Sequence, residues 1–175
     1  IDGDPATTNE WFGVHIDVIT VKPNTNYVIT WYSKRVEGNG PFNLIVMDGD
    51  NQNLKVVSGQ NWMNETSGEW VKNEAVIASA SATEMRLKFT TEAANPGIIL
   101  VDNVAICVEG DEPDEPVDPS GNLIKNGDFE EGDGGWGWSG NTVRDTDNAY
   151  TGTASARLDL DKAYGEALTQ TVKME

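Results

Sequence analysis

An all-β fold, an antiparallel sandwich or barrel, is what this sequence predicts, on three observations. Stretches rich in β-branched and aromatic residues recur along the chain, such as Tyr27-Val28-Ile29-Thr30-Trp31-Tyr32. Clusters of turn-forming residues separate them, as in Gly38-Asn39-Gly40-Pro41 and Asp48-Gly49-Asp50. No segment sustains the apolar period of a helix. β-Branched and aromatic side chains suit a pleated, half-buried surface, and short strands punctuated by such turns build antiparallel sandwiches or barrels.

The elements follow in order. Residues 14–21 alternate in character and form the first expected strand. Residues 27–32 form the second and residues 42–47 the third. Residues 70–77 and the cleanly alternating residues 84–90 come next, and residues 98–108 close this block. A run of prolines and carboxylates then spans residues 110–121. Its prolines remove hydrogen-bond donors and its charges repel, so it reads as an extended linker. Residues 122–175 hold three further short strands, at 123–124, 155–160 and 167–174. Three strands are too few to bury a sheet face alone. The chain therefore divides into a main part at 1–109, the linker, and a C-terminal block at 122–175 that completes this fold or a neighbouring copy.

The chain also repeats itself. Thr20-Val21-Lys22 leads into Pro23-Asn24-Thr25, and Thr171-Val172-Lys173 stands near the C-terminus. We read the match as the same strand of a module present twice.

Composition narrows the function. The chain has 175 residues, 29 acidic against 12 basic, and a net charge of −17. Such a charge argues against nucleic acid and anionic membrane as partners, and its ordinary role is solubility. No apolar run is long enough for a spanning helix, and no signal-peptide pattern is present. Cys107 is the only cysteine and His15 the only histidine. A zinc site or a Cys–His catalytic pair is not expected from one of each, and Cys107 reads as a buried, inert thiol.

One segment carries a family resemblance. Asn122-Leu123-Ile124-Lys125-Asn126-Gly127-Asp128-Phe129-Glu130 resembles the opening of extracellular carbohydrate-binding modules of the family 4, 9, 16 and 22 type. A tryptophan follows, here Trp136 or Trp138, then a Gly-x-x-Ala-like segment at Gly152-Thr153-Ala154-Ser155-Ala156, then Gln170-Thr171-Val172. Such modules continue into a strand like Val21-Lys22-Pro23-Asn24-Thr25-Asn26-Tyr27. They close on Val-Asp-Asn-Val, here Val101-Asp102-Asn103-Val104. Nearly the whole chain is covered, but in permuted order. Three arrangements explain the order: tandem modules cut out of register, one circularly permuted module, or strand exchange with a neighbouring module. We favour completion within one chain, because closing a long loop costs only a few kcal/mol and an unpaired half-module would leave sheet edges open.

The resemblance implies a jelly-roll β-sandwich that binds a β-linked plant polysaccharide without catalysis. Xylan leads, with β-glucan next. It implies a secreted or cell-surface bacterial protein, with the module attached to a glycoside hydrolase such as a xylanase. The other expectation is a structural or adhesive repeat that assembles head-to-tail by strand exchange.

Sugar rings stack their C–H faces on aromatic rings, and their hydroxyls need amide, carboxylate or guanidinium partners. Trp62, flanked by amides in Gln60-Asn61-Trp62-Met63-Asn64, is the leading platform candidate, with Asn61 and Arg35 as hydroxyl partners. Period two places Tyr27, Ile29 and Trp31 on one strand face and Tyr32 on the other. The first face is more apolar, which favours Trp31 as core and Tyr32 as platform, and both stay on the candidate list. The resemblance makes one of Trp136 and Trp138 structural and leaves the other as a rim platform. It makes Trp70 structural too. Any given tryptophan is more often core than platform.

The family often carries a structural calcium, and the matching residues here are Asp128, Glu130, Thr153 and Asp102. Calcium needs six to eight hard oxygen ligands. Catalysis is not expected: there is no nucleophile elbow, phosphate loop or Ser-His-Asp arrangement. Asn64-Glu65-Thr66 matches a glycosylation acceptor, a pattern common by chance.

Overall fold

The computed structural model describes residues 22–38, 42–63, 68–90, 97–111, 122–160 and 167–173. The predicted strand at 14–21, Trp11, His15 and Asn64-Glu65-Thr66 lie outside them, as does the linker beyond Asp111. Eleven strands and no helix make up the described chain. They are β1 (Asn26–Gly38), β2 (Phe42–Met47), β3 (Lys55–Gly59), β4 (Trp62–Met63), β5 (Val71–Ala78), β6 (Glu84–Thr90), β7 (Gly97–Val108), β8 (Gly137–Ser139), β9 (Thr142–Asp145), β10 (Ser155–Leu160) and β11 (Ala167–Lys173).

Two sheets result. One has six strands in the order β3-β5-β1-β7-β10-β9, the other five in the order β4-β2-β6-β11-β8. Every neighbouring pair is antiparallel. This is the β-sandwich that the sequence predicts. The predicted strands fall where expected, except residues 123–124, which are not a strand, although Leu123 N–H donates to Ile106 O at 2.9 Å. β3, β4, β8 and β9 were not anticipated. β3 is an exposed edge strand, β4 has two residues, and β8 and β9 sit in Gly-rich sequence. None of these shows a period long enough to read.

The C-terminal block completes both sheets within this chain. β10 pairs with β7 on one side of the sandwich and β11 pairs with β6 on the other. The core is shared accordingly. Ile29, Trp31, Leu44, Leu87, Phe89, Val101 and Ile106 from the main part pack with Ile124, Phe129, Trp136, Leu158 and Leu168 from the block. Alternation within each strand produces this: β2 buries Phe42, Leu44 and Val46, and β6 buries Met85, Leu87 and Phe89.

The opening motif of the block is a set of staples onto β7. Asn122 Oδ1 accepts from the N–H groups of Ile106 and Ile124, both at 3.0 Å. Gly127 O accepts from Val104 N–H at 2.9 Å, and a Cβ at Gly127 would stand 2.0 Å from Val104 O. Only glycine permits that approach. Asn126 takes a φ of +49° and spends its side chain on Glu131 N–H, Gly132 O and Gly134 O. Its carbonyl accepts the indole N–H of Trp136 at 2.9 Å. The turn thus fixes the tryptophan that anchors the block in the core.

Candidate functional site

The outward face of the five-stranded sheet carries the most open aromatic ring among the described residues. Since Phe42, Leu44, Val46, Met85, Leu87 and Phe89 point inward, Asn43, Ile45, Met47, Arg86, Lys88 and Thr90 point outward. Residues opposite each other in antiparallel strands share a face. Trp62 stands opposite Asn43, and Asn43 opposite Thr90, forming one row. Ile45, Lys88 and Thr169 form the next.

Trp62 is 56 % exposed at the sheet edge. The polar residues beside it are shielded: Asn43 is 4 %, Thr90 0 % and Lys88 6 % exposed. Burial lowers the pKa of the Lys88 ammonium from its ordinary value. Asn43 Oδ1 is buried and accepts no hydrogen bond from a described residue. A buried acceptor left in this state is costly. Arg86, farther along β6, donates through Nη1 to Asn51 Oδ1 at 2.6 Å.

Asn61 holds this edge in place. Its carbonyl accepts from Leu44 N–H at 2.7 Å and its Nδ2 donates to Leu44 O at 3.0 Å. This makes Asn61 the residue that positions Trp62. A cavity of about 210 Å³ lies behind it, lined by Ile45, Val46, Leu54, Val56 and Ile77 among others. That is below the usual size of an enclosed small-molecule site, roughly 300–1,000 Å³.

Tyr32 lies elsewhere, on the outward face of the six-stranded sheet. It stacks on Tyr150 with ring centroids 3.7 Å apart and planes 14° apart, and Trp70 meets Tyr150 edge-on at 6.0 Å. The Tyr32–Tyr150 hydrogen bond and burial both raise the pKa of Tyr150, the hydrogen bond more. Tyr32 and Trp62 therefore cannot share one ligand face.

The other candidates divide by burial. Trp31 and Trp136 are both 0 % exposed, and Arg35 is buried on the same side of β1 as Trp31. A ring with no exposed surface cannot meet a polymer, and Arg35 is shielded as well. Trp138 packs partly against the core, edge-on to Phe129 at 6.0 Å, with its indole N–H donated to Asp133 O at 3.1 Å. It supports the Gly-rich turn.

Of the residues matched to calcium, Glu130 and Thr153 bond to each other, and Asp102 is engaged by backbone N–H groups. Glu130 Oε1 accepts from Thr153 N–H and Ala154 N–H at 2.7 and 2.8 Å, and Oε2 accepts from Thr153 Oγ1 at 2.7 Å. The Thr153 hydroxyl, foremost, and these N–H groups lower the Glu130 pKa. Gly152 adopts a φ of +65°, and a Cβ there would stand 2.5 Å from Glu130 Oε1. Asp102 Oδ2 accepts from Tyr150 N–H at 2.7 Å and Thr151 N–H at 3.2 Å, and Oδ1 accepts from Asn103 N–H at 2.7 Å. Burial pushes the Asp102 carboxyl up to about 6, the three N–H groups hold it down in part, and the Asp128 charge adds a smaller upward push. Among the described residues no cluster of three or more His, Cys, Asp or Glu side chains could hold a metal ion.

Asn43, Thr90, Lys88 and Tyr150 were missed as site residues. The alternation of residues 84–90 already placed Lys88 and Thr90 opposite the core side chains. No sequence signal placed Tyr150 against Tyr32. No family model, curated protein or solved structure matches this chain.

Proposed function

We propose that this chain is a non-catalytic carbohydrate-binding module whose ligand is a β-linked plant polysaccharide, xylan first and β-glucan second. The ligand lies across the outward face of the five-stranded sheet. The observation that carries this reading is Trp62, a tryptophan 56 % exposed at the edge of that sheet. A sugar ring stacks its C–H face on the exposed indole. The charge of −17 favours an uncharged polymer over nucleic acid or an anionic membrane surface. In this reading the protein is secreted or cell-surface and bacterial. It acts by proximity, holding an attached glycoside hydrolase such as a xylanase near its substrate. Affinity is expected at about micromolar, roughly −8 kcal/mol.

Trp62→Ala is expected to lose about 2 kcal/mol of binding, roughly 30-fold in Kd. An exposed side chain contributes little to folding, so the melting temperature is expected to hold. Titration calorimetry and thermal unfolding together check this. Loss of binding with unchanged unfolding assigns a platform, and loss of both assigns a structural role.

Structural calcium is part of the proposal. The donors fit in part: Asp128 and Asp102 are close enough to repel, while Glu130 and Thr153 already spend their oxygens on each other and on backbone N–H groups. Millimolar calcium is expected to raise the melting temperature and a chelator to lower it. Identical melting in both conditions removes calcium from the account.

A further inference from the structure

β11 fills a defined slot, and a second stretch of the chain ends in the same tripeptide. β11 lies between β6 and β8. It runs antiparallel to β6, with Thr171 opposite Arg86, Val172 opposite Met85 and Lys173 opposite Glu84. The slot therefore ends beside the start of β6. Lys22, the last residue of the other copy, is fastened nearby. Ser79 Oγ donates to Lys22 O at 3.0 Å, Thr25 N–H donates to Ser79 Oγ at 2.9 Å, and Asn24 N–H donates to Ala80 O at 2.6 Å.

Ser79 and Ala80 open the connection from β5 to β6. Residues 22–25 run beside it in the opposite direction, toward β1. Lys22 is therefore fastened to the connection that leads into β6, the end of the slot where β11 finishes.

We propose that the place between β6 and β8 is a docking site for residues 17–22 of the same chain, so that this segment and β11 are alternative occupants. Superposing the tripeptides puts Thr20 opposite Arg86, Val21 opposite Met85 and Ile19 opposite Leu87. The two occupants differ in what holds them. Gln170 of β11 accepts from Lys125 N–H at 3.2 Å and donates to Lys125 O and Gly135 O at 3.1 and 2.9 Å, and Leu168 is buried in the core. Residues 17–22 place Ile19 where β11 has Gln170, and Asp17 where it has Leu168. Their advantage is proximity. Only Pro23, Asn24 and Thr25 separate them from β1, so their effective concentration at the slot is high. When they dock, β11 is released and can take the same place between β6 and β8 of a second copy of this chain. That is the partner the slot implies, and the route by which the head-to-tail repeat arises.

Paired cysteines test this in the full chain. Opposed residues of antiparallel strands are close enough for a disulfide, and Cys107 is buried. Thr171→Cys with Arg86→Cys reports β11 in the slot, and Thr20→Cys with Arg86→Cys reports the other occupant. Thr8→Cys with Arg86→Cys is the control. After mild oxidation, non-reducing electrophoresis and mass measurement are expected to show monomeric disulfide from both reporter pairs, several-fold above the control. If the Thr20→Cys pair closes no better than the control, or only between molecules, the proposal is overturned.

Discussion

Trp136→Ala is expected to lower the unfolding free energy by about 4 kcal/mol, the usual scale for removing a buried aromatic ring. The side chain is fully buried and its indole N–H is donated to Asn126 O at 2.9 Å. Its ring lies 5.3 Å from Phe129 and 6.4 Å from Phe89. Phe129 belongs to the C-terminal block and Phe89 to β6 of the main part, and Phe89 in turn meets Trp31 edge-on at 5.8 Å. Trp136 is thus the side chain through which the block is tied into the shared core. Its loss opens a cavity at that junction and frees the Asn126 turn. A small domain has only about 5–15 kcal/mol of stability in all, so the variant is expected to be marginal. Trp136→Phe keeps a ring and is expected to cost less than half as much. Denaturant unfolding of both variants measures this, and a cost below about 1 kcal/mol for Trp136→Ala would place the ring outside the core's energetics.

Asp102→Asn is expected to change how stability depends on pH. The Asp102 carboxyl has its pKa raised from 3.8 to about 6 in the fold, chiefly by burial. A raised folded-state pKa means that the folded protein holds the proton more tightly than the unfolded chain does. The resulting stabilisation is complete below the unfolded value and is lost as pH rises through about 6. Two pKa units correspond to about 3 kcal/mol between pH 4 and pH 7. The asparagine does not titrate, so the difference in unfolding free energy between wild type and variant is expected to shift by about that amount across the window, with wild type relatively stronger at low pH. The comparison matters because the chain has 29 acidic residues, and the other carboxylates titrate alike in both proteins. Asparagine also replaces one oxygen that accepts backbone N–H groups of Tyr150, Thr151 or Asn103, which adds a loss at every pH. Parallel stability curves for the two proteins would contradict the assignment of this slope to Asp102.

Legibility varied with burial. Residues 42–47 and 84–90 were read from the sequence with their observed ends, the first from the turn residues on either side and the second from its alternation. The edge strands escaped because they bury little: β3 is mostly exposed and β4 spans two residues. The opening motif at residues 122–130 was legible as a motif, yet its role is mechanical. Asn122, Asn126 and Gly127 staple the block to β7 and to its own turn. Among the platform candidates, Trp62 was singled out by its polar neighbours, and it is the exposed one. Trp31 and Trp136 could not be separated from it by residue type, since a tryptophan serves core and surface equally well. Tyr32 was correctly placed opposite Trp31 on β1. That it lies on a different sheet from Trp62 depends on the partition of strands between sheets, which local pattern does not encode.

Calorimetric titration of the chain with soluble xylan, with mixed-linkage β-glucan and mannan alongside, tests the central claim most directly when wild type and Trp62→Ala are run together. The account predicts heat with xylan at about micromolar affinity for wild type and about 30-fold weaker binding for the variant, with both proteins folded. A folded wild type that gives no heat with any of the three polymers, or a variant that binds as tightly as wild type, would contradict it.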